Sequence, residues 1–399
     1  ANLLWSYAKL GYHGNHSMVH YLSDQVHRVT VDDFIPQHLA NTVWAWATMR
    51  HRPSAKALAA MERRMLACVD DFDPQDVTNT LWAWATMGHQ PSAQVLAAME
   101  RRMLACFDDF NSQDVANTVW AVAMLMNNIV SDKITIDQDV LDQLLHQLEA
   151  TEFSTLEEQH FQQSLQAHHL LGDRFKPSAA LLDQAREEWA KQLASRSSSS
   201  PQSSLEREVA ACLDRLGITY DVEVLTEDGM HRVDMLVRGR TDDGGERLLA
   251  IECDGPTHFL RSSDGTYRID GSTYARNCDL RKLGLDVLCV AWHEWISLTK
   301  DERDAYFIRE LQERDFKHSF KCDNVPVETA LIEARRRVRR LCEVGGHAAE
   351  GGALTRPTPQ ASASASYVPP PPYIDYLSEL RERGIIVEET NNAKKRRTE

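Results

Sequence analysis

Trp44, Trp82 and Trp120 recur at a step of 38 residues inside the strings VWAWATM, LWAWATM and VWAVAML, and Asn41, Asn79 and Asn117 keep the same step. A fixed period of this size constrains the fold more than any single motif. Each unit is one supersecondary element that cannot bury its apolar face alone and has to stack on its neighbours. The chain opens on a further copy, NLLWSYAKLG, with Asn2 and Trp5 in the two marked places. The expectation is a chain truncated at its N-terminus, with any targeting leader and further repeats lying upstream.

The unit reads as a helical hairpin. Asp73, Pro74, Gln75 and Asp76 place a capping side chain before a proline at the first helical position, with an acid in the first turn to favour the helix dipole. This first helix is expected to run to Met87 and stop at Gly88. Pro91 and Ser92 open a second helix whose Leu96, Met99, Met103 and Leu104 fall at helical spacing. Residues 54–72 and 92–110 are nearly identical, while 159–172 reads as a degraded first helix that caps the array. The Trp and Asn columns suit packing and a hydrogen-bonding ladder between units. Base-reading positions are expected to vary between copies on the exposed face of the first helix: His38, Asp76 and Asp114, or Ala40, Thr78 and Ala116. The former set doubles as caps.

A net charge of -15 opposes indiscriminate binding to polyanions, so any nucleic-acid contact has to be local. No apolar run approaches the roughly 20 residues that span a bilayer, so no membrane partner is expected. The eight cysteines include no C-x-x-C pair, which points to reduced thiols rather than a structural zinc or a disulfide framework.

A polar run at 195–204, SRSSSSPQSS, reads as a linker. Beyond it, 205–216 has a helical apolar face closed by Gly217, followed by strand-like runs at 219–225, 231–237, 248–254 and 287–292, with a helical stretch at 273–283 before the last. This order makes a small α/β sandwich with a parallel crossover. In IECDGPTHF, Glu252 and Asp254 sit two apart on a strand and project from one side. Asp234 on the neighbouring run and His258 join them at one end of the sheet. Such carboxylates are costly to bury without a metal, a base or a ligand that compensates. The stretch 257–274 reads as a loop carrying Arg261, Tyr267 and Arg268, and Arg276, Arg281 and Lys282 extend it onto the next helix. Arginines interleaved with an aromatic suit phosphates and unpaired bases. Further on, 316–344 reads as a basic helix with Arg336 and Arg340 as RNA-binding candidates, and 345–399 as a largely disordered tail.

The unit PQ-x-x-x-N-x-x-W-A resembles the octatricopeptide repeat. Residues 205–311, with IECDGPTHF, then DLRKLGLDVLCVAWHEW and a closing helix, resemble the RAP domain. The fold expected is an α-helical repeat solenoid of 38-residue hairpins over 1–194, followed by a small α/β restriction-endonuclease-like domain over 205–315. Proteins of this pairing are organellar RNA-binding factors, so the resemblance implies single-stranded or ribosomal RNA and other organellar RNA-processing proteins as partners. It also implies a chloroplast or mitochondrial location and a role in RNA processing, stability, translation or ribosomal RNA maturation. The RAP domain is in turn similar to the PD-(D/E)XK nuclease fold. That similarity makes Asp234, Glu252, Asp254 and His258 catalytic candidates. Magnesium would sit on Asp234, Glu252 and Asp254, and Arg281 or Lys282 would face the phosphorane. The chain departs from the commoner nuclease pattern at Asp254, where many such enzymes place lysine. Two further readings therefore stand beside RNA binding: a magnesium-dependent endoribonuclease, and a protein-binding scaffold. In the binding reading the acids are a relic and no cofactor is required.

Overall fold

The computed structural model describes residues 1–11, 16–26, 31–127, 136–151, 156–199, 202–240, 246–314 and 316. Its N-terminal part is helical: α1 (Asn2–Lys9), α2 (His16–Val26), α3 (Pro36–Thr48), α4 (Ala55–Cys68), α5 (Pro74–Met87), α6 (Ala93–Ala105), α7 (Ser112–Asn127), α8 (Gln138–Ala150), α9 (Glu158–Leu171) and α10 (Ala179–Ser199). The odd helices α1, α3, α5, α7 and α9 pack successively side by side, and α2, α4, α6 and α8 make a second row in the same order. α10 closes against α9.

Local chemistry sets the bounds of these helices. Asp73 accepts the N–H of Asp76 at 2.7 Å and Pro74 opens α5, which ends at Met87 with Gly88 left-handed at φ 56°. The period reappears in tertiary bonds. Arg64 Nε donates to the Phe34 carbonyl at 2.8 Å, and one unit later Arg102 Nε donates to that of Phe72 at 2.6 Å. Each bond fastens the second helix of a hairpin to the turn that opens its first. Trp46 and Trp84 fill the interior, whereas Trp44 and Trp82 are half-buried. The expected ladder is seen at its last step, where Gln163 and Gln166 of α9 bond Asn117 and Trp120, both at 2.7 Å.

Of the base-reading positions expected on an exposed face, His38 is half-buried beside Phe34, and the others lie inside the array. Ala40, Thr78 and Ala116 are fully covered by the neighbouring first helices, and the Thr78 and Thr118 hydroxyls share a hydrogen bond of 3.1 Å across that seam. Asp76 and Asp114 are also buried, and their backbone N–H groups are held by Asp73 and Asn111. Side-by-side packing of the first helices consumes the face that variation between copies had suggested was free.

The polar run at 195–204 is helical as far as Ser199, where α10 ends, and Ser203 caps the next helix, α11 (Ser204–Leu216), by accepting the N–H of Glu206. Serine is tolerated at helix ends and favoured at caps, so this composition reads more loop-like than it folds.

The α/β part holds a four-stranded sheet in the order β2 (Tyr220–Leu225), β3 (Arg232–Arg240), β4 (Glu246–Asp254) and β7 (Asp286–Ala291), antiparallel except for the β4 and β7 pair. α12 (Gly271–Lys282) is the crossover that lets β7 return parallel. α11 and α13 (Lys300–Glu313) share a core with one face of the sheet, built on Val209, Leu213, Val237, Ile251, Phe307 and Leu311. Leu280 of α12 packs on the other face with Val233, Ala250 and Val287.

The stretch expected as a loop, 257–274, contains two strands, β5 (Phe259–Ser262) and β6 (Tyr267–Ile269), paired antiparallel. β5 also pairs in parallel with β1 (His51–Arg52), the turn after α3, placing His51 opposite Arg261. A three-stranded sheet thus joins the helical rows to the α/β part, and their core is continuous through Met230, Leu260 and Ala275. α12 packs on α5 and α7. Its N-terminal Gly271 backbone comes within 3.5 Å of where a Cβ on Gly88 would stand, and Lys282 at its other end donates to Asn127 at 2.7 Å. It therefore lies across the C-terminal ends of consecutive first helices. The basic helix expected at 316–344, with Arg336 and Arg340, and the tail at 345–399 lie outside the described residues, Phe316 apart. Among the described residues no helix is long and apolar enough to cross a membrane.

Candidate functional site

The register of β3 on β4 sets Met235 opposite Ile251, which brings Asp234 beside Glu252 at the end of the sheet. Asp234 Oδ2 accepts the backbone N–H of Cys253 at 2.7 Å, closing the ladder where the strands part. Glu252 and Asp254 lie under α12, and Arg276 of that helix reaches both: Nη1 is 3.0 Å from Glu252 Oε2 and Nη2 is 2.8 Å from Asp254 Oδ1. Glu252 is 2% exposed and Asp254 0%. Burial pushes the Glu252 carboxyl up to about 8, opposed by Arg276 and reinforced by Asp234 and Asp254. Burial likewise raises Asp234 to about 6. Burial thus favours the protonated form of Glu252, and Arg276 is the cation that opposes it.

The sequence expectation that these acids gather is met in position; Arg276 takes one oxygen of each of two of them, while Glu252 Oε1 and Asp254 Oδ2 stay buried without a hydrogen-bond partner. A hard dication asks for several converging oxygens. Here one oxygen of Asp234 is held by the backbone, and a guanidinium bridges the other two acids. Among the described residues, the only group of three or more acid, histidine or cysteine side chains whose ligand atoms all come within 4.8 Å of one another lies elsewhere. Arg276, expected to face RNA, is turned inward, because two buried carboxylates need a cation more than solvent does.

His258 follows in a short turn. Its Nδ1 shares a 3.0 Å hydrogen bond with Thr273 Oγ1 and lies 3.6 Å from Asp254 Oδ1, and burial lowers its pKa. Thr273 is in turn held by Asp270, the cap of α12, which accepts its N–H at 2.8 Å. The same Asp270 pairs with Arg50 from the end of α3. A run of polar contacts thus leads from the helical rows to the buried acids. Nothing local in the sequence marked Arg50 or Arg276 for it.

The remaining RNA-binding candidates divide. Tyr267 stacks on His293 at 4.4 Å, packs edge-on to Phe259 and Trp292, and lies under the Arg261 guanidinium at 5.8 Å. Its ring is committed to this cluster rather than offered to a base. Arg281 is exposed and donates to the carbonyl of Asn277 in its own helix, and exposed Lys282 bonds Asp279 and Asn127. Arg268 is exposed on β6 and lines a cleft of about 410 Å³ with Arg52, Gly88, His89 and Gln90 of the helical rows. Arg52 and His89 were not singled out by sequence. The folded turns after α3 and α5 bring them into the same cleft as Arg268.

Residues 251–311 match the RAP domain family, which is associated with RNA binding, and this segment carries the buried acids, Arg268 and all of α12. No curated protein matches the chain significantly.

Proposed function

With a RAP domain packed across the ends of repeated helical hairpins, we propose that this protein is an RNA-binding factor that takes an unpaired stretch of RNA at the seam between the two parts. The observation that carries this reading is the cleft that Arg268 of the RAP domain and Arg52 of the helical rows line together, from strands on either side of β5. Two guanidiniums lining one cleft suit a phosphate backbone passing along it, and a local basic cleft can act despite the net charge of -15. In this reading the rows are an octatricopeptide-type solenoid and the α/β part is nuclease-like in fold. The target is single-stranded or ribosomal RNA in a chloroplast or mitochondrion, met during processing, translation or ribosomal RNA maturation, alongside other RNA-processing proteins. The Arg276 clamp supports a structural role for the acids over a hydrolytic one.

The test is fluorescence anisotropy with labelled single-stranded RNA over a salt series. The double variant Arg52→Ala, Arg268→Ala is expected to bind about tenfold more weakly. Its log–log salt slope should be shallower by about 1.4, two phosphate contacts at about 0.7 each. An unchanged slope removes the cleft from the binding surface, and salt-insensitive or absent RNA binding favours a protein scaffold. RNA cleavage in magnesium or manganese that Asp234→Ala abolishes would instead establish the nuclease.

A further inference from the structure

A second cluster lies apart from the buried acids and from the cleft. His169, in the last turn of α9, His231, just before β3, and Asp279 on α12 place one ligand atom each within 4.8 Å of the others. His169 Nε2 is 3.4 Å and His231 Nε2 3.5 Å from the same oxygen, Asp279 Oδ2. Those separations are the edges of a coordination tetrahedron. Bonds of about 2.0–2.1 Å to a central ion put neighbouring ligand atoms about 3.3 Å apart. The contacts make poor hydrogen bonds by comparison, and His231 Nε2 is buried without a hydrogen-bond partner.

Asp228 Oδ2 lies 3.9 Å from Nδ1 of His169, the ring nitrogen pointing away from Asp279, beyond hydrogen-bond reach. Lys282 Nζ holds the other oxygen of Asp279, Oδ1, at 3.1 Å and leaves Oδ2 facing the imidazoles. Two imidazoles and one carboxylate select a borderline transition ion over magnesium or calcium, which prefer oxygen donors throughout.

We propose that His169, His231 and Asp279 form a zinc site that pins α9 of the helical rows to the RAP domain's α12 and to the start of β3, with water completing the tetrahedron. The ion ties three elements distant in sequence, so it fixes the angle at which the rows meet the RAP domain.

The experiment uses the full chain stripped with a chelator and titrated with cobalt as a spectroscopic stand-in. One equivalent is expected to give the visible absorption of tetrahedral cobalt, displaced by zinc and unaffected by millimolar magnesium. His169→Gln and His231→Gln should each weaken binding by more than about tenfold. On the unaltered chain, one equivalent of zinc should protect His169 and His231 from diethylpyrocarbonate, read by peptide mass spectrometry. This measurement decides the matter even if a variant misfolds. Absence of the cobalt band, a band that survives in both histidine variants, or unprotected histidines would overturn the site and leave a cluster of ion pairs.

Discussion

Arg50 and Asp270, 220 residues apart in sequence, form an ion pair between the end of α3 and the cap of α12. Arg50 is left-handed, with φ 54°, and stands one repeat before Gly88, whose φ of 56° is within a few degrees of it. A side chain in that conformation costs about 1–2 kcal/mol relative to glycine. Its guanidinium is what the α12 cap uses, which accounts for an arginine where the next unit has glycine.

Replacing Arg50 separates the two effects. Arg50→Ala keeps the strained backbone and leaves the carboxylate of Asp270 unpaired, for an expected loss of about 1–3 kcal/mol given that Arg50 is part-exposed. Arg50→Gly loses the same pair but relieves the strain, so it should be more stable than the alanine variant by about 1 kcal/mol. Urea denaturation midpoints of the three proteins check the order.

Arg276 is the cation of a buried group, so its removal should be severe. Arg276→Ala is expected to cost about 3–5 kcal/mol, because Asp254 stays buried without its counter-charge. Arg276→Lys should recover only part of this, since an ammonium cannot reach both carboxylates as a planar fork does. Chemical denaturation measures both.

The raised pKa of Glu252 makes a prediction with a definite sign. Its ordinary value is 4.5 and its folded value about 8, so between these the folded protein holds a proton that the unfolded chain has released. Stability from this group is complete below the lower value and is lost as pH rises through the upper one. Asp234, raised to about 6, acts in the same direction at lower pH. Unfolding midpoints measured from about pH 7 to about pH 9, above the titration of histidine, should fall in the unaltered protein and stay flatter in Glu252→Gln. Equal slopes would show that Glu252 is ionised throughout.

Much of this molecule was legible in local signals. The 38-residue step, the Asp73 cap and the Gly88 stop gave the hairpins, because caps and periodic faces are properties of a few adjacent residues. Alternation along β4 likewise put Glu252 and Asp254 on one side, and the comparison with known families supports the RAP segment. What stayed hidden depends on partners far along the chain. β1 is only two residues long and exists because β5 lies beside it, so no run of strand formers announced it. Arg276 read as one more surface cation until the sheet brought two carboxylates beneath it. Thr78 and Ala116 read as variable surface positions because nothing in one unit says which face its neighbour will cover.

The placement of α12 across the ends of successive first helices limits how the repeat count can change. Its contacts fall at Arg50, Gly88 and Asn127, so each anchor is matched to one hairpin in order. Duplicating or deleting a hairpin within that span would move every later anchor by a whole helix diameter, and a splint of fixed length cannot follow. Growth or loss of hairpins is therefore confined to those that the splint does not touch, and the spanned segment changes with the α/β part as one piece.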